Sequence, residues 1–197
     1  MKIVVCVKHV PDATANRTFD EADHTVDRAG VDGLLSELDE YAVEEALTIR
    51  DAASAGGGGE DDEVIVLTVG PEQAADAVRK SLQMGADSGA HVIDDAIAGS
   101  DALATSQVLA KAIQKIGGWD LVLCGMASTD GAMGVVPAML AERLEVPQLS
   151  YAAEVSVDGS AGSYRVTVRR DSDLATETVE AAAPVVVSVT DQINEPR

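Results

Sequence analysis

The run from Gly125 to Leu144, GMASTDGAMGVVPAMLAERL, joins an apolar stretch to a helical pattern through a glycine-spaced turn. Gly125, Gly131 and Gly134 permit close backbone approach and positive φ, and a helix starting behind them aims free N–H groups at whatever occupies the turn. Those groups and the positive end of the helix dipole suffice to hold a phosphate without a basic side chain. The turn has no lysine or arginine, and its spacing is neither G-x-G-x-x-G nor G-x-x-x-x-G-K-[ST]. Spacing alone therefore leaves two readings open, an anion cradle built from backbone and a purely structural turn. Ser128, Thr129 and Asp130 offer hydroxyl and carboxylate groups to a ribose or phosphate, while Asp130 is equally a helix cap.

A second group, Lys8, His9 and Asp12, ends the first apolar run, KIVVCVK. Open α/β sheets bind ligands at the carboxyl edge of their strands, so Lys8 can supply a cation there, whereas His9 reads as a surface residue. His24 and His91 have no Cys or carboxylate neighbours at metal-ligand spacing, which argues against a metal site. No G-x-S-x-G or Ser/His/Asp order suggests a hydrolase. Cys6 and Cys124 lie in apolar runs and form no C-x-x-C pair, so they read as small buried hydrophobes. Glu40, Glu44 and Glu45 read as a solvated or partner-facing side of a helix.

The elements that must position these groups alternate. KIVVCVK reads as a first, central strand and the polar 22 residues after it as a long loop with room for a small hairpin. A helical pattern starts at Leu38 and ends at the glycines 56–59, a run that reads as a surface loop. VIVLTVG is a second buried strand. Pro71 opens and Gly85 closes the next helix. AHVID is a strand, SDALATSQVLAKAIQKIGG a helix capped by Ser100 or Asp101, and WDLVLCG the strand that feeds the glycine turn and the helix PAMLAERL. Strands and helices in this order imply a Rossmann-like parallel sheet with helices on both faces. After Pro147 only β-rich segments remain, which predicts an antiparallel appendage. The expected division is an α/β nucleotide-binding unit over 1–147 and a β-rich extension over 148–197, packed on the same domain.

Composition narrows the function classes. With 34 acidic against 14 basic residues the formal charge is −20, which opposes binding to nucleic acid or an anionic membrane. The acids are spread along the chain, a pattern read here as a halophilic-type surface, because salt screens the self-repulsion they create. Only 3% of residues are aromatic, so the core must be aliphatic. The opening apolar run is too short for a signal peptide, and no stretch approaches the roughly 18 apolar residues of a membrane span. The expectation is a soluble, reduced, cytoplasmic protein.

Taken together and in order, VCVKHVPD, LDEYAVEEAL, LQMGAD, DLVLCGMASTDG and INEPR resemble the β subunit of electron transfer flavoproteins, including its nitrogen-fixation-type homologues, over essentially the whole chain. The resemblance implies an electron carrier without bond chemistry of its own. Its FAD is shared with an α subunit, and the β subunit binds AMP or, in bifurcating relatives, a second FAD. Implied partners are the α subunit, flavoprotein dehydrogenases such as acyl-CoA dehydrogenases and, indirectly, a membrane quinone oxidoreductase. The family's nucleotide contacts fall on Cys6, on Ser36, Glu37, Leu38 and Asp39, on Val69, and on Met126, Ala127, Ser128, Thr129, Asp130, Gly131, Ala132, Met133, Gly134, Val135, Val136 and Pro137. Its partner-recognition segment falls on Asp191, Gln192, Ile193, Asn194, Glu195, Pro196 and Arg197. Family members commonly carry Lys-Gln-Ala where this chain has Met126 to Ser128, so backbone groups from Gly131 onward are expected to hold the phosphate. The competing readings are a stand-alone adenine-nucleotide-binding protein of the same fold and an interaction subunit that binds no nucleotide.

Overall fold

The computed structural model describes all residues except 17, 23, 29 and 56–61, and of residue 55 only the backbone. The chain runs β1 (Lys2–Cys6), β2 (His9–Pro11), β3 (Gly33–Leu35), α1 (Glu37–Ala55), β4 (Glu63–Val69), α2 (Ala75–Met84), β5 (Ser88–Val92), α3 (Ala102–Ile116), β6 (Leu121–Gly125) and α4 (Val136–Leu144). It continues through β7 (Gln148–Ala152), β8 (Glu154–Asp158), β9 (Arg165–Asp171), β10 (Thr176–Ala182) and β11 (Val185–Val189). Six strands form one parallel sheet in the order β5-β4-β1-β6-β11-β7. The glycine run 56–59, read as a surface loop, lies outside the described residues.

The strands are nearly continuous apolar runs because both sheet faces are covered, as parallel sheets require. Side chains alternate between two cores. Ile3, Val5, Leu121, Leu123, Val185 and Val187 face α1 and α2, whereas Val4, Cys6, Val122, Cys124 and Val186 face α3 and α4. The chain builds outward from β1 through β4 to β5, then crosses back to place β6 on the other side of β1. That reversal opens a crevice above the carboxyl ends of β1 and β6, where this class of sheet binds ligands.

Local signals set the helices. Asp101 caps α3, its carboxylate accepting from the Ala104 N–H at 2.8 Å, and Gly85 terminates α2 with φ 119°. The segments after Pro147 divide between two sheets. β8, β9 and β10 form the antiparallel appendage, packed through Val166 and Val168 on the α1 side of the core. β7 and β11 instead join the parallel sheet, with β11 between β6 and β7. The difference was written in PVVVSV, an unbroken buried run rather than an alternating one. In the long loop after β1, β2 pairs with β3, and Phe19 bridges Val26 as a further small hairpin. Among the described residues no helix is long and apolar enough to cross a membrane.

Candidate functional site

A cleft of about 1110 Å³ opens at the carboxyl edge of the sheet. Its floor is made by the ends of β1 and β6, one wall by residues 25–28 and 31–33, another by the connection 93–102, and its far rim by the glycine turn and the start of α4. Ligand sites commonly occupy about 300–1,000 Å³, so the space suits a nucleotide-sized molecule.

Asp39, in the first turn of α1, holds the floor together. Its carboxylate accepts the Lys8 N–H at 2.8 Å and also the Gly125 N–H, joining the ends of β1 and β6. Only 7% of it is exposed, and this burial raises its pKa to about 7 against the lowering effect of both N–H groups and of Lys8. The approach of α1 to β6 is so close that a Cβ at Gly125 would stand 2.6 Å from the Leu38 carbonyl oxygen and 2.7 Å from Asp39 Oδ1. Gly125 therefore serves strand–helix packing. Cys6 and Cys124 are paired in register on the same face, and their mutual hydrogen bond, then burial, pushes the Cys124 thiol well up.

The rim is organised by a second carboxylate. Asp130, with 1% of its side chain exposed, takes Lys8 Nζ at 2.9 Å and the Arg28 guanidinium. Burial works to raise its pKa, but hydrogen bonds from Lys8, Ser128 and Arg28 outweigh it and hold the carboxyl far below the usual range. The Gly131 N–H is consumed inside the turn, by Asp130 Oδ1 at 2.7 Å and Ser128 Oγ at 3.2 Å. Donors expected from Gly131 onward thus begin further along the chain. α4 has no side-chain N-cap, and Gly134, Val136 and Pro137 at its start line the cleft. Pro137 has no N–H and the Met139 N–H bonds the Val135 carbonyl at 3.0 Å, so the N–H groups of Val136 and Ala138 are the uncapped ones that can face an anion.

Of the residues read from the sequence, Cys6, Asp39, Val69, Ala127, Ser128, Gly131, Met133, Gly134, Val136 and Pro137 line the cleft. Ser36 lies fully buried behind it with an unpartnered hydroxyl, Glu37 is exposed, and Leu38 contributes the carbonyl beneath Gly125. Met126 donates its N–H to the Val189 carbonyl, tying the turn to β11. Lys8 and His9 both reach the cleft, but Asp12 instead closes a local turn through the Thr14 N–H and hydroxyl. His91 contacts the Gly70 carbonyl at 2.9 Å. Among the described residues no group of three or more His, Cys, Asp or Glu is placed to hold a metal.

The tail adds one correction. Glu44 and Glu45 are buried, not solvated, because the segment 190–197 folds over α1. Arg197 forks onto both Glu44 oxygens at 2.8 Å, and Asn194 donates to the Tyr41 carbonyl and to Glu45, each at 3.1 Å. Of the seven residues read as partner-contacting, Asn194 and Arg197 are thus held on α1 by their side chains, and Ile193 packs against the core. Sequence reasoning missed Arg28, whose partner is 102 positions away in an aperiodic loop, so no local signal existed. It also missed the wall 93–102.

A profile of the electron transfer flavoprotein domain matches residues 23–197. The chain belongs to the electron transfer flavoprotein family. It is 46% identical over 195 residues to the electron transfer flavoprotein subunit beta of Mycobacterium bovis, covering 99% of this chain and 71% of that one. Its identity to the subunit of the same name from Megasphaera elsdenii is 38% over 203 residues, with 100% and 71% covered. The caffeyl-CoA reductase-Etf complex subunit CarD of Acetobacterium woodii is 35% identical over 197 residues, again with 100% and 71% covered.

Proposed function

We propose that this chain is the β subunit of an electron transfer flavoprotein. It binds AMP, or a second FAD, in the cleft at the carboxyl edge of the sheet, and it forms one wall of an FAD site completed by an α subunit. The assembled protein carries electrons from flavoprotein dehydrogenases, such as acyl-CoA dehydrogenases, to a membrane quinone oxidoreductase or another acceptor, in the cytoplasm. The observation that carries the nucleotide assignment is the uncapped start of α4 on a cleft of nucleotide size at the strand reversal.

The residues fit the group in specific ways. Phosphate oxygens would be held by N–H groups of the turn and the first turn of α4, while Lys8 and Arg28, held by Asp130, stand at the same rim. Val69, Cys6 and Val136 give an apolar surface against which a flat base can lie. The flavin supplies the redox chemistry when bound; this chain contributes binding, shape and the exclusion of water. Contact with partner proteins falls to the exposed members of the tail, Asp191, Gln192 and Glu195, since Asn194 and Arg197 are held on α1.

The test is the flavin content of the heterodimer purified from its source, read by absorbance. One flavin with AMP per heterodimer supports the carrier reading, and two flavins support the bifurcating one. A heterodimer with no flavin, or an isolated chain that hydrolyses ATP, would overturn the assignment in favour of a stand-alone nucleotide-binding protein.

A further inference from the structure

Tyr151 has a left-handed backbone, φ 55°, which an aromatic residue adopts only under constraint. It sits in β7 where the pairing with β11 slips between Val187 and Val189, so the strand bulges outward at that point. The bulge has built support. The Tyr151 N–H donates to the hydroxyl of Ser188 at 3.1 Å, and Ser188 is 2% exposed. A strained residue whose strain is maintained by a dedicated buried partner is held there for its side chain.

That side chain reaches the glycine turn. A Cβ at Gly134 would stand 3.3 Å from the Tyr151 hydroxyl oxygen and 3.3 Å from the Met126 carbonyl, so the phenol closes over the backbone of Gly134. Gly134 itself has φ 65° and precedes Val135, the N-cap of α4, where no side chain caps the N–H groups of the first turn. The Tyr151 ring, half exposed, stands outside the cleft lining. It therefore acts on the turn from behind.

We infer that Tyr151 is a positioning residue that clamps the turn at Gly134 and so fixes the direction of the α4 N–H groups toward the phosphate of a bound nucleotide. This rests on the nucleotide assignment made above. The strain of β7 is the cost of bringing the phenol to Gly134, and the benefit is a preorganised turn that presents N–H groups without a basic side chain of its own.

The experiment uses the α/β heterodimer containing Tyr151→Phe or Tyr151→Asn, with AMP as the probe in calorimetry and thermal unfolding measured in parallel. Tyr151→Phe keeps the ring and the strain and removes the hydroxyl; AMP affinity should fall about threefold. Asn tolerates the left-handed backbone, so Tyr151→Asn should leave the melting temperature within about 2 °C of the parent, or raise it, while AMP affinity falls about tenfold. A residue with a structural role alone would move the two readouts together. Unchanged AMP affinity in both variants, in a heterodimer whose parent binds AMP, would overturn the positioning role and leave the nucleotide assignment standing. A parent that binds no adenine nucleotide would overturn both.

Discussion

Two aspartates brace the same cleft and meet opposite fates. Asp39 on the floor is buried against backbone N–H groups of Lys8 and Gly125, and its pKa rises to about 7; Asp130 on the rim is enclosed by Lys8 and Arg28 and its pKa falls. A carboxylate satisfied by backbone dipoles alone does not recover its lost hydration, whereas one flanked by two cations does. The floor is therefore a rigid, pH-sensitive joint between strands, and the rim an ion-paired latch that stays charged. The two cations at the rim, Lys8 and Arg28, come from outside the glycine turn, which has none of its own.

Among the single substitutions, breaking the floor has the largest expected effect at fixed pH. Gly125→Ala forces a methyl group against the Leu38 carbonyl and Asp39, and overpacking of this kind costs about 3 kcal/mol. For a chain of this size the melting temperature should fall by roughly 6–12 °C, read by circular dichroism. An unshifted transition would mean that α1 can move away from β6 freely.

Next comes pH. A raised carboxyl pKa means that the folded state holds a proton the unfolded state has released, so Asp39 stabilises most fully below pH 4. That stability is lost as pH rises through about 7, by up to about 1.4 kcal/mol per unit between those limits. Glu45, also raised by burial, acts in the same direction. Asp130 acts oppositely, its contribution being present above pH 4 and lost only in stronger acid. Thermal midpoints of the parent should decline from pH 4.5 to 7.5, and Asp39→Asn should flatten that decline; parallel curves would remove Asp39 as the cause.

The smallest effect belongs to the latch. Arg28 is 38% exposed and Asp130 keeps Lys8, so Arg28→Ala should cost about 1 kcal/mol or less in chemical denaturation. A loss as large as that of Gly125→Ala would make the rim, not the floor, the structural joint.

Much of this architecture was legible in the chain. KIVVCVK, VIVLTVG and DLVLCG are buried runs that only a covered parallel sheet explains, and Asp101 and Gly85 punctuate their helices. The glycine turn was legible as a candidate anion site. What could not be read was set by distance in sequence or by burial that only the fold creates. Arg28 meets Asp130 across 102 positions, and Arg197 meets Glu44 across 153. Glu44 and Glu45 carry charges that look solvated on a helix until the tail lies over them. Tyr151 gave no signal because its strain comes from a bulge, and a bulge depends on the register of a partner strand.

The proposed function requires an adenine nucleotide in the cleft between floor and rim. The most direct measurement is mass spectrometry of the small molecules released when the purified heterodimer is denatured. One AMP per heterodimer, or a second FAD in its place, is the predicted result. Release of a single FAD and no other adenine nucleotide would contradict it.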